Sequence, residues 1–246
     1  MEPSRLFDAV IDGTREFARS VATEVHGRDG VMAAVVPDCP ERSVVNSVCY
    51  EDPESLAAQL DELAGVYDAA GVHAWTVWVP PEDREAAASL EAAGHVLDAA
   101  PEAMGMELEG FKRPSCSYGW TREGDPSVVG KLNDRAYGYE GSFERALEGF
   151  DPEFARLYVA HLAGEPVSCC ITLEHGTDCH VTLVATEPEA RGRGLAGALM
   201  AQALADANER GLVSTTLVAT KMGRPVYDRL GYRALGPVEM WERRRA

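Results

Sequence analysis

Apolar positions recur along this chain in two alternating rhythms, one helical and one of strand type, and the alternation predicts its elements. Leu6, Val10, Phe17 and Val21 fall at helical spacing and predict a first helix over residues 5–24, ended by the Gly27 to Gly30 segment. The runs 31–36 and 44–50 flank Pro37-Asp38-Cys39-Pro40 and have the pattern of two hairpin-like strands. Residues 55–70 predict a helix closed by Gly71, 74–79 a strand rich in Val and Trp, and 82–93 a helix that stops at Gly94. One or two strand segments are expected within 95–108. In the second half a basic, proline-containing connector over 111–120 leads to a helix over 125–137 and a short one over 142–147. Strands over 156–162, 167–174 and 180–185 follow, then a helix over 195–207, a strand over 212–219, a short helix before Gly231 and a last strand over 238–242.

Sliding the chain on itself by 140 residues lays 55–71 over 195–211, two helices of equal length that each end in glycine before a strand. The agreement continues through the next strand, helix and glycine, allowing a three-residue insertion in one loop and another near the end, so that Gly94 falls on Gly231 and Leu90 on Tyr227. Pro101-x-Ala-Met104 then matches Pro237-x-Glu-Met240. Two copies of one unit are the simplest explanation, which predicts domains at 1–110 and 111–246.

The copies differ most where a strand enters a helix. The second carries Arg191-Gly192-Arg193-Gly194-Leu195-Ala196, and the first places Glu51-Asp52-Pro53-Glu54 at the equivalent of its first four residues. A strand that breaks into glycines and enters a helix leaves several N–H groups unpaired beside the positive end of the helix dipole, which is an anion cradle. Three carboxylates and a proline there would repel a polyphosphate and remove one donor. They suit the first turn of a helix on structural grounds instead. The first copy is therefore expected not to bind an anionic ligand at this place.

Composition narrows the function. Forty Asp and Glu against 23 Lys and Arg leave a net charge of −17, which disfavours nucleic acid and makes a cationic partner or amine substrate electrostatically easier. No apolar run is long enough to span a bilayer, so no membrane partner is expected, and no secretory signal is visible at the N-terminus. A cytoplasmic location is the expectation. The six cysteines, Cys39, Cys49, Cys116, Cys169, Cys170 and Cys179, show no CxxC spacing. Neighbouring Cys169 and Cys170 would point to opposite faces of a strand, so they read as reduced core residues and no metal is expected.

The order of elements in the second half, with Arg191-x-x-Gly194-x-Ala196 after Val184-Ala185-Thr186-Glu187-Pro188, resembles the GNAT superfamily of acyl-CoA-dependent N-acetyltransferases. The resemblance implies an α/β (α+β) fold in which two tandem units each carry a mixed, mostly antiparallel sheet flanked by helices. It implies acetyl-CoA as acyl donor, with its pyrophosphate on Arg191, Gly192, Arg193, Gly194 and Ala196, chiefly through backbone amides. The pantetheine arm would lie against Leu183, Val184 and Ala185.

Tyr227, four residues before Gly231, matches a tyrosine that often serves the family as general acid toward the departing thiolate. A base is expected on the strand where Asp178, His180 and Thr182 share a face by period two, with Asp178 and His180 as candidates. Glu140 and Glu144 would attract an amine, and Tyr137, Tyr139, Phe143 and Phe150 fall where the family forms its acceptor wall. The expected reaction is direct acetyl transfer to a primary amine of a small molecule or peptide in a ternary complex. The alternative is a non-catalytic acyl-CoA-binding regulatory or partner-interaction protein. Oligomeric state stays open, with a homodimer among the options.

Overall fold

Strand pairing divides the chain between two mixed, mostly antiparallel sheets flanked by helices. The computed structural model describes residues 2–113, 115–123, 125–148, 150 and 155–245. The first half contains α1 (Pro3–Val21), β1 (Glu24–His26), β2 (Met32–Val35), β3 (Ser47–Cys49), α2 (Pro53–Ala57), α3 (Leu60–Ala69), β4 (Ala74–Val79), α4 (Arg84–Ala92), β5 (Val96–Ala99) and β6 (Glu102–Glu107). The second contains β7 (Gly119–Glu123), α5 (Pro126–Tyr137), α6 (Ser142–Ala146), β8 (Ala155–Leu162), β9 (Glu165–His175), β10 (Asp178–Thr186), α7 (Leu195–Glu209), β11 (Ser214–Ala219), α8 (Arg224–Leu230), β12 (Arg233–Pro237) and β13 (Glu239–Arg244).

One compact unit takes Thr14–Glu102 and the segment from Pro237 onward, and holds a six-stranded sheet in the order β1-β2-β3-β4-β13-β5. The other takes the residues up to Gly13 and Ala103–Gly236, and holds most of a seven-stranded sheet in the order β12-β6-β11-β10-β9-β8-β7. The position 110/111 is thus crossed by three segments: the residues up to Gly13, 103–110, and those from Pro237 onward. β13, from the end of the chain, pairs antiparallel with β4 from Glu239↔Val79 to Arg244↔Ala74 and also with β5. β6, from the first half, lies between β12 and β11.

The repeat is visible in the topology. β3 and β4 are parallel neighbours joined through α2 and α3, as β10 and β11 are parallel neighbours joined through α7. β5 and β12 stand in equivalent places, each separated from its partner by the exchanged strand.

Several expected boundaries moved for identifiable reasons. The helix expected over 55–70 is broken into α2 and α3 at Ala58-Gln59, because the Gln59 amide turns to Arg28. It accepts from the Arg28 N–H and donates to the Arg28 carbonyl, each at 3.0 Å. α1 ends at Val21 and β1 follows it, with Thr23 donating to the Val35 carbonyl at 2.9 Å. The expected connector 111–120 runs into β7, which pairs with β8 from Gly119↔His161 to Glu123↔Leu157; Pro114 of that connector lies outside the described residues. β12 was not anticipated, since its residues are mostly exposed and lack an apolar alternation.

In the six-stranded unit, Leu56, Leu63, Tyr67 and Leu90 pack on Val48, Trp75 and Val77. Trp75 stacks on Tyr67 at 4.6 Å and meets the His95 ring edge-on at 4.5 Å. His95 is 2% exposed, neither ring nitrogen has a hydrogen-bond partner among the described residues, and burial pushes its pKa down to about 4.

In the other unit α7 is buried nearly all round. Leu195, Leu199, Met200 and Leu204 join Tyr158, Cys170, Cys179, Leu217, Tyr227 and Tyr232 in one core, and alanines together with Gln202 fill the remaining buried positions of the helix. Cys170 belongs to this core, whereas Cys169 contacts the Val129 carbonyl of α5, so the two thiols do point to opposite faces. Among the described residues no helix is long and apolar enough to cross a membrane, and no group of three or more His, Cys, Asp or Glu is placed to hold a metal ion.

A chain ending at Gly236 lacks β13, and β13 separates β4 from β5. Removing an interior strand strips both neighbours of their ladder partners. The expected result is that limited proteolysis cuts within 14–102, near the other end of the sequence, while 155–234 stay protected. Protection of 14–102 equal to that of the full chain would overturn this.

Candidate active site

The site is built on a defect in β10. Its parallel pairing with β11 runs from Asp178↔Ser214 to Val181↔Leu217 and stops, although β11 continues to Ala219. On the other side the register with β9 jumps from Thr182↔Ile171 to Ala185↔Cys169, so Leu183 and Val184 together oppose Cys170. This is a β-bulge. Leu183 takes φ +47°, a conformation that costs an L-residue with a branched side chain on the order of 1–2 kcal/mol.

Neighbouring side chains hold the bulge. Asn133 of α5, 1% exposed, places its amide on the Val129 carbonyl at 2.9 Å and the Leu183 carbonyl at 3.4 Å. The Ala185 carbonyl accepts from the Ser168 hydroxyl at 2.8 Å. The Val184 carbonyl accepts from the Tyr137 phenol at 3.0 Å, donated from the last residue of α5. Of the three strand positions expected to meet the cofactor, Val184 is therefore held by a partly exposed side chain, and Leu183 and Ala185 by buried ones.

β10 then gives way to a 3-10 turn at Pro188–Ala190 and the glycine loop. Gly192 and Gly194 have φ +75° and +76°, where residues with a Cβ are strained, and Gly194 is the N-cap of α7 with no side-chain cap. The amides of Gly192, Arg193, Gly194, Leu195 and Ala196 have no backbone acceptor among the described residues, and nothing lies within 4 Å of where a Cβ of either glycine would be. A four-turn helix therefore starts with its first donors unpaired by backbone among the described residues.

The Arg191 guanidinium faces inward, donating to the Ala136 carbonyl at 2.6 Å and the Thr186 carbonyl at 3.1 Å. It braces the loop against the end of α5. The Tyr118 hydroxyl donates to the Arg193 carbonyl. Neither brace is visible in the sequence pattern.

Tyr227, in α8, is 7% exposed and crosses the Tyr232 ring at 6.1 Å. Its hydroxyl has no hydrogen-bond partner among the described residues. Burial first, then the Tyr137 phenol and the Cys170 thiol, raise its pKa well above the ordinary tyrosine value, so it keeps its proton. Tyr137 itself stays on the Val184 carbonyl.

Asp178 and His180 share a face as expected, but that face is buried. Thr216 donates to Asp178 at 2.6 Å, Ser214 donates to it at 2.6 Å, and His180 Nδ1 meets the Thr216 hydroxyl at 3.1 Å. A hydroxyl that gives its proton to Asp178 accepts from Nδ1–H, which sets the neutral tautomer. His180 packs directly on Gly13 of α1, where a Cβ would lie 2.2 Å from the ring. At 3% and 4% exposure, His180 and Asp178 are a satisfied polar cluster within this unit's fold. Burial lowers the His180 pKa to about 4 and raises that of Asp178.

Of the expected acceptor wall, Phe143 and Phe150 are core residues, 6% and 4% exposed. Tyr137 is 38% exposed and stacks on Tyr139, which stacks on Phe143. The segment is held because Asp134 accepts from the Phe143 and Glu144 amides at 2.9 and 3.0 Å, and because Gly130 leaves room for the α6 backbone. Glu144 pairs with Lys131 at 3.2 Å, whereas the Glu140 side chain stands exposed. Burial raises the thiol pKa of Cys169 and Cys179 to about 12 and raises that of Cys170, so none supplies a thiolate nucleophile.

Comparison with known proteins places the fold. The model of the acetyltransferase (GNAT) domain matches residues 153–234, in the second half of the chain. A GCN5-related N-acetyltransferase from Kribbella flavida has a similar fold, with a TM-score of 0.69, 14% identity, and coverage of 95% of this chain and 94% of that one. A putative GNAT-family acetyltransferase from Novosphingobium aromaticivorans is similar at a TM-score of 0.60 and 16% identity, covering 98% of each chain. A tandem GNAT protein from the clavulanic acid biosynthesis pathway gives a TM-score of 0.56 at 14% identity, over 87% of this chain and 78% of that one. No curated protein matches the sequence significantly. The fold is that of GCN5-related N-acetyltransferases.

The His180 pKa carries a stability prediction. Its folded value lies below the unfolded value near 6.5, so the unfolded chain takes up the proton first and stability falls as pH drops from about 6.5 toward 4. Urea unfolding of the wild type should lose roughly 2–3 kcal/mol from this group between pH 8 and pH 4.5. The replacement H180Q should remove that part of the loss, and an unchanged pH dependence in H180Q would contradict the assignment.

Proposed function

We propose that this protein transfers an acetyl group from acetyl-CoA to a primary amine by direct attack in a ternary complex. The observation that carries the reading is the conjunction of open amides at Gly192 to Ala196 with a strand whose Val184 carbonyl lies beyond the reach of β11 pairing. An anion fits the first and an extended amide-bearing arm fits the second. Acetyl-CoA supplies an electrophilic thioester carbon and a thiolate leaving group.

The residues divide the work. Gly192 to Ala196 hold the pyrophosphate through backbone N–H groups, with Arg193 adding charge and Arg191 fixing the loop. Val184 aligns the arm once Tyr137 moves off its carbonyl. Tyr227, kept protonated by burial, gives its phenolic proton to sulfur as the carbon–sulfur bond breaks. Glu140 and the net charge of −17 favour approach of a cationic amine. His180 and Asp178 stay within the buried hydrogen-bond cluster, so the ammonium proton leaves through solvent or the acceptor side of the site.

The six-stranded unit has no equivalent cradle. Asp52 caps α2 with its own carboxylate, accepting from the Ser55 amide at 2.7 Å, and Pro53 removes a donor. Leu90, the repeat equivalent of Tyr227, is fully buried and has no proton to give. We assign this unit a supporting role in a tandem, one-cofactor arrangement.

Calorimetry with acetyl-CoA and turnover on a panel of primary amines, amino acids and polyamines test the reading. The wild type should bind and turn over. G194E places a carboxylate in the cradle at positive φ and should abolish binding, whereas Y227F should bind normally and lose about 10²-fold in kcat. Binding without turnover across the panel would favour the non-catalytic acyl-CoA-binding alternative, and no binding would exclude both readings.

A further inference from the structure

Gly223, the N-cap of α8, has φ −78° and ψ −32°, a backbone that any residue adopts. Its amide donates to Thr220 through the carbonyl at 3.1 Å and the hydroxyl at 3.2 Å, which also requires no glycine. The reason for glycine is spatial. A Cβ here would lie 2.9 Å from Tyr227 Cε2, 3.0 Å from its phenolic oxygen and 3.1 Å from Cζ. Gly231 at the other end of α8 contrasts with it, since φ +103° there is a backbone requirement.

The phenol of Tyr227 therefore lies back along α8, one turn toward the helix start, as long side chains on helices do. Its oxygen rests over the bare Cα of Gly223. No hydrogen bond positions that oxygen among the described residues, so its location is set by packing: Tyr232 on one side and Gly223 beneath its outer edge. The ring is rigid and nearly buried, and a methyl group at 223 is relieved only by displacing the phenol, because the backbone of the helix start does not yield as readily as a side chain.

We infer that Gly223 is a positioning residue whose missing Cβ sets where the Tyr227 hydroxyl stands in the acyl-transfer site. The inference rests on the proposed role of Tyr227 as the proton donor. General acid catalysis needs the donor within hydrogen-bond reach of the atom it protonates, and a displacement of a few tenths of an ångström to an ångström at 223 is transmitted directly to the oxygen.

The test is a double-mutant cycle of G223A with Y227F, reading kcat and the Kd of acetyl-CoA, and repeated with G223S. Expected is a fall in kcat of about tenfold or more for G223A, with Kd within about twofold of wild type and normal thermal unfolding. In the Y227F background the same change should alter kcat by less than about twofold, since the group it displaces is no longer a donor. An equal loss in both backgrounds, or wild-type kcat in G223A and G223S while Y227F is slow, would overturn the role of Gly223 and leave Tyr227 as the acid. Full activity of Y227F would overturn the acid assignment itself and this inference with it. Unfolding of both glycine variants, seen as lost acetyl-CoA binding and an early melt, would show that the space serves stability and overturn the positioning role.

Discussion

The parting of β10 from β11 after Val181 is the constraint on which the rest of the site depends. A parallel strand that loses its neighbour releases backbone groups that must find other partners, and each partner chosen here is informative. Buried Asn133 and Ser168 hold the Leu183 and Ala185 carbonyls, and a partly exposed phenol holds that of Val184. The bulge turns the chain toward the glycine loop at the cost of a leucine in the left-handed region. Tyr137, Arg191 and Asn133 all tie the end of α5 to this stretch, so the helix, the strand defect and the loop form one construction.

The two units apply one crossover to different ends. Both run from a strand through helix to a parallel neighbour. In the six-stranded unit the helix start carries its own anion: the Ser55 amide holds the Asp52 carboxyl below its usual pKa range, and the donors of that turn are partly satisfied internally. In the other unit Gly194 caps with no side chain, and the same kind of turn stays open. The difference persists in the core. Thr215 and Tyr232 share a hydrogen bond at 2.7 Å, while Trp75 and His95, standing in their places, meet as an edge-on aromatic pair. One copy keeps polar order beneath its site; the other is packed with rings.

Most elements and the open glycine loop were legible in the sequence because both are written locally. Helical spacing at Leu6, Val10, Phe17 and Val21 announces a buried stripe, and Arg191-x-x-Gly194 after a strand announces unpaired amides, whatever surrounds them. The base candidates show where locality ends. Period two correctly put Asp178 and His180 on one face, yet it carries no information on what covers that face, and Gly13, Ser214 and Thr216 cover it. The break at Gln59 was hidden for the same reason, since its cause is Arg28, far away in the chain. Leu183 gave no signal at all, because leucine is not a residue that marks positive φ.

By itself, then, the sequence determined the repeat, the order of strands and helices, and the asymmetry between an acidic, proline-bearing helix start and a glycine-rich one. These follow from spacing, side-chain volume and charge within a few residues. Only the tertiary structure decided that β6 and β13 each complete a sheet made mainly from the other half, that Tyr137 occupies the Val184 carbonyl, and that Gly223 lies under the Tyr227 hydroxyl. Strand exchange depends on which edge is unpaired once both sheets exist, and the other two on distances between side chains brought together by packing. No local pattern encodes either.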